Sequence, residues 1–157
     1  MRRSAISLIF LTCGLLAASE AAAANVSFNG VILDSCAVTL GIPGALGIDS
    51  TGRTLASSEA GGVSGAAAVL TTSATYKLEV DPPSSFAVSP AGSAPDSIST
   101  SYTATGVTSI LAQAAGTPLN LNLGLTNVAV NTTATRSASI FPAGIYRVDV
   151  AVRCVPR

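Results

Sequence analysis

Two cysteines, each on the apolar side of a two-residue alternation, constrain this chain more than any other feature. Cys36 sits in Val-Ile-Leu-Asp-Ser-Cys-Ala-Val, and Cys154 closes Val-Asp-Val-Ala-Val-Arg-Cys three residues from the end. A bond between them would close a loop of nearly the whole domain. In the chain-entropy model such a loop contributes on the order of 4–5 kcal/mol, less any strain in the native state. Both cysteines fall on apolar strand faces, so a buried, structural Cys36–Cys154 disulfide is expected rather than a redox-active one. Each also reads as lying near the C-terminal end of its strand, which predicts first and last strands running in the same direction.

The N-terminus reads as a targeting segment. Arg2 and Arg3 precede a short apolar run, Ile6 to Leu16, and small residues follow up to Ala21-Ala-Ala-Ala24. This is the layout of a secretory signal peptide with an Ala-x-Ala site, and the run is too short to cross a bilayer. Residues 1–24 are assigned to the signal peptide and 25–157 to a single domain. Cys13 then leaves with the leader, since Thr12 is a poor residue before a lipidated cysteine. The expectation is an exported protein in the periplasm, at the cell surface or outside the cell. No later run of apolar residues is long enough for a transmembrane segment. Lys and Arg number 8 against 8 Asp and Glu, without a basic patch or an acidic run, which argues against nucleic acid as a partner.

Period-two patterning dominates the rest. Tyr146, Val148, Val150, Val152 and Cys154 alternate with Arg147, Asp149, Ala151 and Arg153. Tyr76, Leu78 and Val80 alternate with polar neighbours, as do Leu119, Leu121, Leu123 and Leu125, and Ile98 to Ala104 more weakly. The first segment, Val26 to Leu40, changes pattern near Gly30 or Asp34, as a kink or bulge would make it. Turn signals such as Gly41-Ile-Pro-Gly44, Asp81-Pro-Pro83 and Phe141-Pro-Ala-Gly144 separate these runs, while Leu46 to Gly65 reads as a long loop with one weak strand. Short strands at this spacing, with no helical period, predict an all-β fold: an immunoglobulin-like antiparallel β-sandwich.

The catalytic inventory is thin. The chain has no histidine, which removes the commonest general base and metal ligand. Lys77 lies on the polar face of a strand. Glu79 and Asp81, the nearest thing to a carboxylate pair, suit a solvated edge before Pro82-Pro83. Asp34, Asp49 and Asp96 sit in turn-like surroundings where aspartate caps backbone. No metal-ligand spacing and no phosphate-binding glycine loop appears. The sequons at Asn25 and Asn131 are short enough to arise by chance and receive no role. Beyond the expected leader, six aromatics, Phe28, Tyr76, Phe86, Tyr102, Phe141 and Tyr146, are spread one per strand or turn, as a core uses them. No catalytic residue, cofactor or metal site is expected.

Phe28-Asn-Gly-Val-Ile-Leu-Asp-Ser-Cys36-Ala-Val38 resembles the first strand of pilins assembled by the chaperone–usher route, with a Phe-x-Gly start followed by Cys-x-Val. The ending, Phe141-Pro-Ala-Gly-Ile-Tyr-Arg-Val-Asp-Val-Ala-Val-Arg-Cys154, resembles the Pro-Ala-Gly-x-Tyr strand that closes spore-coat-U-type secreted pilin domains. Gly144, fourteenth from the end, stands where pilins tend to carry a glycine. These matches cover roughly a fifth of residues 25–157. Three departures stand beside them. The second cysteine closes the last strand, whereas many pilins place it in the first half. Pro156 replaces the penultimate tyrosine, and only Asn25 to Ser27 precede the Phe-x-Gly start. Either Val26 to Leu33 is itself a donor strand, or the domain is complete alone. The resemblance implies a structural, non-enzymatic fimbria-like or cell-surface subunit. Its partners would be a periplasmic chaperone, an outer-membrane usher and like subunits. Strand addition would take place along the last strand, with Val148, Val150 and Val152 facing the contact. The competing expectation is a self-contained periplasmic or secreted binding domain of unknown ligand.

Overall fold

The computed structural model describes residues 27–157. The leader expected at 1–24, its cleavage point, Cys13 and Asn25 lie outside the described residues. Ser27–Val31 carry no strand, and Ile32–Arg157 form one unit.

That unit is all-β, with ten strands and no helix among the described residues. Seven strands make one antiparallel sheet: β1 (Cys36–Leu40), β2 (Gly47–Ile48), β3 (Thr54–Ala56), β4 (Gly65–Thr71), β6 (Ser97–Gly106), β7 (Ile110–Ala114) and β9 (Gly124–Thr135). The other three, β5 (Tyr76–Val80), β8 (Leu119–Asn120) and β10 (Val152–Pro156), make the second in the order β10-β5-β8. The large sheet is built on β9. β4 and β3 share one of its flanks end to end, β6 covers the other flank along its length, and β1 and β7 lie outermost beyond β4 and β6.

The inner faces of the two sheets meet in the main core. Val69, Tyr102 and Val128 from the large sheet pack with Leu78 and Val80 from the small one and with Leu121. Burying each such side chain contributes about 1.5–3 kcal/mol before the entropy of ordering it is subtracted. The Tyr102 hydroxyl donates to the Thr117 carbonyl at 2.7 Å, and burial pushes its pKa up. A second cluster, around Leu55, Ala134 and Phe141, lies at the other end of β9.

Cys36 and Cys154 are bonded across a separation of 118 residues, with Cα atoms 6.2 Å apart. The strand directions differ from expectation. Cys36 is the first residue of β1 and pairs with Thr71 at the end of β4, while Pro156 pairs with Tyr76 at the start of β5. The start of β1 and the end of β10 therefore meet at the β4–β5 connection, and the two strands run in opposite senses. The strand at Cys36 begins where the sequence pattern placed its end, because Val31–Leu33 carry no strand.

The Leu119–Leu125 alternation is also broken. β8 stops at Asn120, Leu121 is fully buried, and Leu123 and Leu125 are exposed. Side chains take over here from the strand ladder. The Asn122 amide donates to Thr108 Oγ1, and its side chain donates to the Val107 carbonyl.

Candidate functional site

The two chain segments that flank the disulfide diverge beyond it and leave a trough. One wall is the continuation of β1 from Leu40 through Leu46 into β2. Its backbone is tied outward to the start of β4 and the segment before it: the Gly41 amide donates to the Ala66 carbonyl at 2.8 Å, and Ala45 and Val63 exchange two bonds of 2.9 Å. The other wall is Tyr146–Val152, tied on its far side by Arg147 with Val88 and by the Asp81 amide on the Ala151 carbonyl at 2.9 Å. Among the described residues no backbone hydrogen bond joins the two walls.

The trough encloses about 630 Å³, with Ala67, Val130 and Thr132 of the large sheet as its floor. Leu46 and Tyr146 also line a further hollow of about 470 Å³ that reaches Ile48, Phe141 and Gly144. The two hollows share Leu46 and Tyr146, and the larger trough forms the groove between the walls. Leu40 and Ile42 on the first wall are 80% and 69% exposed, so large apolar side chains stand in water at its lip.

Val148, Val150 and Val152 all line this groove, half-buried; Arg147 and Asp149 also border it but are exposed, as is Ala151. The alternation read from the sequence is real at the level of burial, but only Val152 onward belongs to a strand. From Tyr146 to Ala151 the backbone is extended and bonded on one side alone. Arg147 and Asp149 pair at 3.1 Å in solvent, a contact of at most a few tenths of a kcal/mol.

The aromatics are not spread as expected. Phe86, Phe141 and Tyr146 converge edge to face, with ring centroids 5.2–6.0 Å apart, and the Arg136 guanidinium lies 5.7 Å from the Phe141 ring centroid. Sequence separation hid this cluster, which the β-sheet topology assembles. The Tyr146 hydroxyl donates to the Pro142 carbonyl at 2.6 Å and pins the turn before the groove wall.

The polar residues singled out in the sequence serve the backbone or one another. Asp49 accepts from the Thr51 hydroxyl and from the Arg53 and Thr54 amides. Its pKa is held below the ordinary value, first by Thr51 and then by the Thr54 amide. Lys77 pairs with Glu79 at 3.0 Å, and Arg153 reaches Asp81 at 2.8 Å and Glu79 at 3.6 Å. Asn131 is tied down, its Oδ1 accepting from Ser57 and Ser64. Among the described residues no three His, Cys, Asp or Glu side chains are grouped to hold a metal. Comparison of the chain with protein-family models, with curated proteins and with solved structures gives no match.

Proposed function

We propose that the chain is a structural, non-enzymatic exported subunit of a fimbria-like or cell-surface assembly, and that its groove accepts a β-strand from a partner. The observation that carries this reading is the open apolar groove between two edges with no backbone bond across it. An incoming strand would pair with backbone on both walls and lay alternate side chains on the Ala67–Val130–Thr132 floor. Because β1 and β10 run in opposite senses, that strand lies parallel to one wall and antiparallel to the other.

In this reading the two sheets form an immunoglobulin-like sandwich short of one strand, behind a cleaved leader at 1–24. The apolar run Val26–Leu33 of a second copy is the strand that fills it. A periplasmic chaperone and an outer-membrane usher are the partners that would hold the groove before assembly. The disulfide supports an oxidising compartment.

Electrophoresis of the purified protein without boiling tests the proposal. A ladder of oligomers that survives dilution and is lost in Val150→Asp is expected, since an unpaired carboxylate would enter the apolar groove. A wild-type protein that forms no such ladder and needs no added strand for stability would favour the self-contained exported binding domain.

A further inference from the structure

The seven strands of the large sheet contain no charged residue. The small sheet, by contrast, carries the Lys77, Glu79 and Arg153 ion pairs. On the outer face of the large sheet, away from the core, β6 and β9 are paired over ten residues, and every outward side chain there is Ser, Thr, Asn or Ala. β4 extends the face with alanines. Leu70 lies opposite Leu125 across β4 and β9, the two being 51% and 49% exposed. Charged side chains keep protein surfaces soluble and apart, and this chain carries few, 10% of its residues. This face has none.

We propose that the outer face of the large sheet is a self-association surface on which a second copy of the chain packs face to face. Three observations favour a copy over another partner. In a two-fold contact a residue near the axis meets its own equivalent, so an uncharged face is compatible with itself where a charged one repels. Small side chains keep the outer surface low, so the backbones of two such faces can approach closely. β6 and β9 run side by side for ten residues, about 33 Å, and β1, β4, β3 and β7 widen the face to about 20 Å over part of that length, offering roughly 500 Å² per partner. The pair would then bury roughly the 1,000 Å² expected of a specific interface. Leu70 and Leu125 supply its apolar part, and the hydroxyls of β6 with the Asn and Thr side chains of β9 supply a polar part that re-forms its hydrogen bonds across the contact. The surface lies across the sheet from the groove, and its use does not depend on strand addition.

Sedimentation equilibrium of the purified protein, with Leu125→Lys, Ser101→Lys and Val150→Asp alongside, tests this. In the Val150→Asp protein, where strand addition through the groove is blocked, a reversible dimer is expected, its dissociation constant raised at least tenfold when either lysine is added to it. Circular dichroism confirms that each variant is folded, and the two lysines guard against one of them failing to fold. Two results would overturn the proposal: a Val150→Asp protein that shows no reversible association, which would leave any wild-type association to the groove, or a dimer indifferent to both lysines.

Discussion

Asp96 accepts both the hydroxyl and the amide of Ser137, at 2.5 and 2.6 Å, and so holds the loop after β9 against the start of β6. The hydroxyl, then the amide, lowers its pKa below the usual 3.8. A folded pKa below the unfolded one means that the unfolded chain binds the proton more readily. The stabilisation is therefore complete above 3.8 and is lost as pH falls through the folded value. Thermal melts should decline in that acid window, and Asp96→Asn should flatten the decline while lowering the melting temperature near neutrality. A melting curve with the same acid slope in both proteins would remove Asp96 from the account. Thr126 presents the opposite case. It is 1% exposed, and its Oγ1 has no hydrogen-bond partner among the described residues. Thr126→Val replaces that hydroxyl with a methyl group of similar shape and should stabilise the protein by about 1 kcal/mol, read from urea midpoints.

At the scale of the element, β9 was the strand hardest to read and the one on which the large sheet is built. Its inward positions include Thr126 and Thr132, both buried, while its outward ones after Leu125 are Asn, Thr and Ala. Polarity hardly differs between its two faces, so a period-two search finds no contrast there. The segment from Tyr146 to Cys154 was legible for the opposite reason, since valines alternate with charges. Its pattern gave the groove-lining face but not the pairing, because alternation reports burial on one side and is silent about a backbone partner. Gly144 belongs to this element as well. A Cβ there would run into the Pro90 ring. Gly144→Ala should therefore push the groove wall away from the segment around Val88 and destabilise the protein by roughly 1–3 kcal/mol, the usual cost of overpacking. Chemical denaturation checks this, and Ala143→Ser next to it, at an exposed position, is the control expected to change little.

For the molecule as a whole, the disulfide and the groove belong to one design. The bond pins the start of β1 to the end of β10, and beyond it the same two edges part to leave apolar side chains in water. The cysteines were legible as a pair, but the opening was not, since it depends on which strands fail to pair. An open groove makes stability depend on an occupant by mass action. A ligand that binds only the folded state at about a hundred times its dissociation constant adds about 2.7 kcal/mol. For a domain of this size that raises the melting temperature by roughly 5–15 °C. A synthetic peptide of the chain's own Val26–Ser35 sequence, titrated into the purified protein, should produce such a rise. The same peptide with Ile32 replaced by aspartate should not, because one side chain facing the floor would then be charged. Val150→Asp protein should show a smaller shift at every peptide concentration. If scanning calorimetry finds the melting temperature unmoved at millimolar peptide, Val26–Leu33 is not the strand that fills this groove.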